Sequence, residues 1–297
     1  MSAVVTIGNF DGVHRGHLAL VDRATAEAAR RGVDAVALTF DPHPAAVLRP
    51  DAVPPALQSL EARVATLRAR GCDHVEVVTF DAALAALTPH DFAEELLAGR
   101  LAAQLVIVGQ NFRFGVGAQG DVDTLRALGE ELGFAVESVE LVDAGDGPVS
   151  SSAIRALLAA GDLEAVIRAL GRPYALDGEV VRGDGRGRTI GVPTANVAVD
   201  PARAMPADGV YACRATVPGE DPAPAVVNIG WRPTFDGTTR TVEAHLLVDG
   251  DPDLYGRRLE IAFVARVRGE QRFDGPEQLV ARIREDVAEA ERLLRAP

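Results

Sequence analysis

Short apolar runs rich in β-branched residues recur through the first half of the chain, at residues 4–7, 35–40, 75–79 and 105–108. Runs of this length read as strands buried on both faces, as in a parallel sheet. The stretches between them carry helical spacing. One runs from about residue 17 to 31 and stops at Gly32; a second begins near Ser59, an N-cap residue, and ends at Gly71. A third opens on Thr88-Pro89, a cap followed by proline at the first helical position. Strand and helix in alternation predict a doubly wound parallel sheet, whose ligands sit at the carboxyl ends of the strands. Helical residues continue over 156–170 with a break near Gly161-Asp162, and Gly171-Arg172-Pro173 ends that register. Beyond it the pattern alternates. Segments 176–182, 209–217, 225–229, 241–247 and 259–268 read as strands separated by Gly/Pro-rich turns, which predicts a small antiparallel β-barrel. After Gly275-Pro276, the residues Leu279, Ile283, Val287, Ala290 and Leu294 make one helical stripe, expected to pack on the barrel. The expected fold is α/β: a Rossmann-like sheet domain over 1–170, then a barrel domain with a C-terminal helix over 171–297. Each half is long enough to bury its own core, so a fragment from about Gly171 onward is expected to fold alone.

The chain of 297 residues has a net charge of −13 and a pI of about 4.9. Such a surface repels nucleic acid, and no partner of that kind is expected. No apolar run is long enough to span a membrane, and the first residues read as a strand rather than a signal peptide. Cys72 and Cys213 stand alone, one in each half, which fits a reducing compartment. The expected location is the cytoplasm. The sequence contains no lysine. That excludes a P-loop lysine and a Schiff base, and leaves arginine, histidine, backbone N–H groups and metal to hold phosphate.

The stretch GEVVRGDGRGRTIGVPTAN, residues 178–196, holds five glycines and three arginines. Repeated glycine disfavours a helix and lets backbone N–H groups approach an anion. Arg182, Arg186 and Arg188 supply guanidinium forks suited to phosphate. By itself the stretch reads either as a flap and floor for a polyphosphate or as a Gly-rich hairpin. GNFDGVHRGH, residues 8–17, lies at the carboxyl end of the first strand. Gly8 and Gly12 permit a tight turn, Gly16 lets a nucleotide approach the backbone, and His14 and His17 share one face at a helix start. FDPHP (40–44) follows the second strand and VGQNFRFGVGAQGD (108–121) the fourth. Phe112 and Phe114 in the latter are either an apolar shelf for a flat ring or core residues. In VSSSAIR (149–155), Ser151 and Ser152 cap the helix that carries Arg155. The second half adds DGVYA (208–212), VNIGWRPTF (227–235) and VEAHLL (242–247). The last places Glu243 beside His245 on an alternating strand, as a catalytic carboxylate or as a solvent-facing one.

Taken in order, these segments resemble the bifunctional riboflavin kinase/FAD synthetase family over nearly the whole chain. Residues 8–17 resemble the HxGH nucleotidyltransferase signature, and 178–196 resemble the riboflavin kinase pattern GxVVxGxxxGRxxGxPTAN. VSSSAIR resembles the family's ISSTxIR, with Ser152 in place of the commoner threonine, and Asn111 stands where relatives carry Asp or Asn.

The resemblance implies two reactions. At the barrel, ATP meets Gly183, Arg188, Pro193 and Thr194, and Thr194 and Asn196 hold Mg²⁺. Glu243 draws the proton from the ribityl hydroxyl of riboflavin, giving FMN and ADP. At the sheet, a second ATP meets Gly8, Phe10, Gly16, Ser151 and Ser152, with His14, His17 and Arg155 as the catalytic groups. FMN, held by Asn111, Phe112 and Phe114, then attacks the α-phosphate to give FAD and pyrophosphate. Two other readings are an HxGH transferase of another substrate with an accessory barrel, and a flavin-binding sensor without turnover. The intact PTAN segment, the two histidines and Glu243 weigh against both. The sequence sets no oligomeric state.

Overall fold

The computed structural model describes residues 2–140, 142–143, 147–183, 191–234, 237–250, 252–271, 273 and 275–295. The chain forms two compact units, Met1–Ser151 and Ser152–Pro297.

The first unit is a parallel sheet of five strands, β1 (Ala3–Ile7), β2 (Asp34–Asp41), β3 (His74–Thr79), β4 (Ala103–Gly109) and β5 (Ala135–Val139), in the order β3-β2-β1-β4-β5. All five residues of β1 are buried. Val4 faces Leu20, Ala24 and Ala28 of α1 (Arg15–Arg31), while Val5 and Ile7 join the opposite core with Leu38, Val106 and Leu97. Burial on both faces is why these strands read as unbroken apolar runs. The pattern does not mark β5, an edge strand whose residues are at most half-buried.

The expected caps are present. Gly32 ends α1 at φ 65°, and Ser59 Oγ accepts from Ala62 N at 3.2 Å to start α3 (Leu60–Ala69), which follows the short α2 (Pro44–Leu48). After α4 (Ala82–Ala86), Thr88 Oγ1 accepts from Asp91 N at 3.1 Å to start α5 (Pro89–Phe92), and α6 (Val122–Leu132) precedes β5. The strand order reverses between β1 and β4. The loops leaving these two strands therefore open a crevice at the carboxyl edge, the place where such sheets bind ligands.

The second unit carries α7 (Ser151–Ala160), α8 (Leu163–Leu170), a barrel and α9 (Pro276–Arg295). The barrel strands are β6 (Tyr174–Val181), β7 (Ala195–Val199), β8 (Gly209–Thr216), β9 (Ala223–Thr234), β10 (Gly237–Leu246) and β11 (Arg258–Gly269). They pair antiparallel and close in the order β10-β7-β6-β11-β8-β9. Strand β7 is the one the alternation does not mark. It follows Pro193-Thr194 directly and is only five residues long. The α9 stripe packs as expected, with Ala290 and Leu294 against Val210, Ala212 and Val226. A buried ion pair of Arg268 with Asp286, at 2.7 Å, ties the same helix to β11.

The helical break falls at Gly161, at φ 76°, where a Cβ would lie 2.4 Å from Arg266 Nη1. Asp162 then caps α8, its Oδ1 accepting from Ala165 N at 3.0 Å. Helix α8 packs on β6 and β11 and buries Leu163, Val166 and Leu170. A fragment of residues 152–297 keeps this cover, whereas one of residues 171–297 leaves the strands bare. Burial of each such side chain contributes about 1.5–3 kcal/mol, so the longer fragment is expected to melt roughly 10 °C or more above the shorter one. Thermal unfolding followed by circular dichroism checks this. Equal melting temperatures would show that α8 adds nothing to the barrel.

Candidate active sites

The loop from β1 to α1 begins with Gly8 N donating to Leu38 O at 3.1 Å. It then makes two backbone excursions that side chains rarely tolerate, Phe10 at φ 48° and Val13 at φ 36°, with both residues fully buried. Left-handed backbone at a β-branched residue costs about 1–3 kcal/mol and persists where the surroundings enforce it, which is common at ligand sites.

The enforcing partners lie behind the loop. Arg63 on α3 is buried, and its Nη1 donates to Asn9 O at 2.7 Å, Phe40 O at 3.2 Å and Thr39 Oγ1 at 3.2 Å. Asp11 Oδ1 accepts from Leu57 N at 2.8 Å and Gln58 N at 3.3 Å. His43 caps α2 through Nδ1, at 3.1 Å from Ala45 N, and its Nε2 lies 3.5 Å from the Asn9 amide.

His14 caps α1, its Nδ1 accepting from His17 N at 3.4 Å, which leaves the ring proton on Nε2. The two imidazoles stack with centroids 3.7 Å apart, and Phe10 meets His17 edge-on at 5.2 Å. A Cβ on Gly16 would sit 3.1 Å from the His14 ring, so the missing side chain gives the stack its room. Burial, then the neighbouring His14 and Arg63, hold the His17 pKa well below the ordinary imidazole value. His17 Nδ1 is buried without a hydrogen-bond partner among the described residues. Burial lowers the Arg63 pKa too, opposed by the Asp11 and Asp41 carboxylates. Ser151 Oγ donates to Asp11 O at 2.8 Å, which brings Ser151 to this loop. Gly8, Phe10, His14, Gly16, His17 and Ser151 thus form one cluster. Ser152 is exposed and Arg155 half-buried on α7, and both belong to the second unit.

At the end of the neighbouring strand β4, Asn111 is exposed and Phe112 half-buried. Phe114 is core. Its ring lies 5.5 Å from Phe92 and 5.4 Å from Phe112, and Gly120 passes so close that a Cβ would lie 2.6 Å from it. Phe112 stacks on Phe114 and is half-buried.

In the barrel, β10 meets β7 through only two residue pairs, Glu243↔Asn196 and Ala244↔Ala195. On its other edge Glu243 pairs with Asn228 of β9. Directly paired residues point to the same side of a sheet with Cβ atoms about 4.5–5.5 Å apart. Asn196, Glu243 and Asn228 therefore stand abreast. Their neighbours Val197, Val242, Ala244, Val227 and Ile229 are buried, which turns the polar row outward. Gly183 lies over the row, for a Cβ there would come 2.3 Å from Asn196 Nδ2. His245 Nδ1 lies 2.7 Å from Pro193 O and ties β10 to the segment that leads into β7. A shallow cleft is lined by Val180, Pro193, Thr194, Ala195, Ala244, Leu246, Leu254 and Tyr255 among others. The Arg182 guanidinium packs 5.5 Å over the Tyr255 ring at this cleft. Arg186 and Arg188 lie outside the described residues.

Sequence reasoning left out Arg63, an arginine in a helix with no clear apolar face, and Asn228, whose place beside Glu243 depends on strand register. His43 lay inside a noted motif without a role. Only the fold shows its contact with Asn9.

The comparisons with known proteins agree with this geometry. A family model for FAD synthetase matches residues 1–153, and one for riboflavin kinase matches residues 170–294. The bifunctional riboflavin kinase/FMN adenylyltransferase of Escherichia coli (strain K12) is 41% identical over 95% of this chain and 90% of its own. The protein of that name from Pseudomonas fluorescens is 40% identical over 99% and 93%, and that from Bacillus subtilis (strain 168) is 36% identical over 97% and 91%. A crystal structure described as a macrolide-efflux protein from Streptococcus pneumoniae superposes with a TM-score of 0.88 at 28% identity, covering 98% of this chain and 94% of that one. Among the described residues, no helix of the present chain is long and apolar enough to cross a membrane. With both family models matched in order and three such relatives similar from end to end, the chain belongs to the bifunctional riboflavin kinase/FMN adenylyltransferase family.

Proposed function

We propose that the loop between β1 and α1 is the adenylyl-transfer site and that the row of Asn196 and Glu243 is the kinase site. The chain has riboflavin kinase and FMN adenylyltransferase activities, making FMN and then FAD. What best supports this division is the pair of polar clusters, one per unit, each at a place where the backbone is forced into close approach.

At the kinase site, Glu243 takes the proton from the terminal ribityl hydroxyl of riboflavin. That oxygen attacks the γ-phosphorus of ATP, the bond to the β-bridging oxygen breaks, and ADP leaves. The nucleotide enters the cleft that Thr194 and Tyr255 line, with Gly183 offering bare backbone to the phosphates. The Thr194 hydroxyl and the amide oxygen of Asn196, which pairs with Glu243, are hard donors of the kind that would hold Mg²⁺. When bound, Mg²⁺ neutralises charge on the transferring phosphoryl group. Arg188 is assigned to the same phosphates from its motif.

At the sheet, a phosphate oxygen of FMN attacks the α-phosphorus of a second ATP, and pyrophosphate leaves. The nucleophile is already anionic, so no base is needed. The α1 N-terminus and the His14 Nε2–H face the triphosphate. Asn111 and Phe112 are assigned to the flavin, and Ser152 and Arg155 to the leaving pyrophosphate, from their motifs alone. The buried thiols Cys72, pushed up to about 11 by burial, and Cys213 fit a reducing compartment, and the cytoplasm is the proposed location.

Three outcomes test this assignment. His17→Ala is expected to lower adenylylation roughly 10²- to 10³-fold, the usual loss for one preorganised group facing developing charge, so FMN accumulates. Chromatography of riboflavin, FMN and FAD reads this, and FAD formed at the parental rate would make the histidine pair structural.

The depressed pKa of His17 gives a second test, by NMR titration of its ring protons. The free enzyme is expected to hold His17 neutral below pH 6.5, the ordinary imidazole value, and an unreactive ATP analogue to raise its midpoint through added negative charge. Because the folded pKa lies below the unfolded one, this group's contribution to stability is complete above about pH 6.5. It declines as pH falls from there toward the folded pKa. An ordinary midpoint in the free enzyme contradicts the burial of this ring.

Third, Glu243→Gln is expected to slow riboflavin phosphorylation about 10²- to 10⁴-fold while adenylylation of supplied FMN stays at the parental rate. A matching drop in both activities would point to misfolding.

A further inference from the structure

Asn228 stands on the outward face of the barrel in direct register with Glu243, which itself pairs with Asn196 on its other edge. It is exposed, whereas Val227 and Ile229 on either side of it are fully buried, so the chain holds its amide outward on purpose-built alternation. Two residues on, the same face carries Gly230, paired with Thr241 of β10. A Cβ on Gly230 would lie 3.1 Å from Glu270 Oε1 and 3.5 Å from Asn228 Nδ2, and the Thr241 hydroxyl donates to Gly230 O at 3.5 Å. Past Asn228 the face is covered, for Gly230 is buried with the Glu270 carboxylate beside it, so Asn228 is the exposed polar side chain that follows Glu243 across the strands.

A row of this kind suits an extended polyol. The hydroxyl that is phosphorylated belongs at Glu243. The next hydroxyls of the same chain, spaced a few ångströms apart, then fall beside the neighbouring strand. An amide is the side chain that both donates to and accepts from a hydroxyl. We propose that Asn228 hydrogen-bonds the ribityl hydroxyl adjacent to the one that is phosphorylated, and so selects the stereochemistry of the polyol substrate. This rests on Glu243 being the base of the kinase site.

The test uses the full-length chain, with riboflavin and its stereoisomer inverted at the carbon next to the terminal hydroxyl. Loss of one neutral hydrogen bond is worth about 0.5–1.5 kcal/mol, so Asn228→Ala is expected to raise the KM for riboflavin roughly 3- to 10-fold. The preference for riboflavin over the stereoisomer should fall by a similar factor. The KM for ATP and the adenylylation of supplied FMN should stay at parental values. Asn228→Asp keeps the shape but loses the donor, and should show the same loss of discrimination. If either variant slows both stereoisomers equally, or leaves the preference intact, Asn228 does not read the polyol and the proposal is overturned. Glu243→Gln, run alongside, separates the two ideas. Parental phosphorylation by that variant removes the base itself, and with it the proposal; its loss together with intact discrimination in the Asn228 variants removes Asn228 alone.

Discussion

Backbone N–H and C=O groups taken out of water must find partners, and that requirement sets both sites. In the sheet, β1 is hydrogen-bonded on both edges and buried on both faces, so its ladder can end only where the chain leaves the core. The exit runs through Phe10 and Val13 in left-handed backbone and reaches α1 with His14 as its cap. In the barrel, the ladder must return on itself, and it does so through the short pairing of β10 with β7. Glu243 and Asn196 occupy that seam. The residues with proposed roles are thus ones at which the hydrogen-bond ladder stops or closes.

Charge is the second constraint. A chain with a net charge of −13 and no lysine holds its phosphate-facing groups against a hostile background. Its answer in the sheet is indirect. Arg63 is buried behind the loop and spends its donors on Asn9, Thr39 and Phe40, and it adds to the burial and the His14 ring that lower the His17 pKa. A neutral ring at a helix N-terminus avoids repulsion from the buried Arg63. Other arginines serve structure. Arg203 and Arg258 both meet Asp177, and Arg268 pairs with the buried Asp286.

Glycine does different work in the two units. Gly16 gives the stacked imidazoles room, whereas Gly183 brings bare backbone onto Asn196. In both places a methyl group would collide with a side chain that has a proposed role, so the glycine is tied to the site rather than to the turn around it.

The sequence alone determined the strands that are buried on both faces, the caps at Gly32, Ser59 and Thr88, the α9 stripe and the motifs that identify the family. These are local, since each follows from spacing or from a side chain reaching its own backbone. Strands β5 and β7 were not legible, because an edge strand and a five-residue strand carry too little apolar pattern. Nor was it legible that Phe114 is core while Phe112 is only half-buried, since both rings look alike in sequence. The tertiary structure alone decided that Arg63 reaches the β1 loop and that Asn196, Glu243 and Asn228 stand abreast. Register around a closed barrel is a property of the whole ring. A shift of one residue on β7, β9 or β10 would turn that strand's member of the row inward, and no local pattern records which register closes.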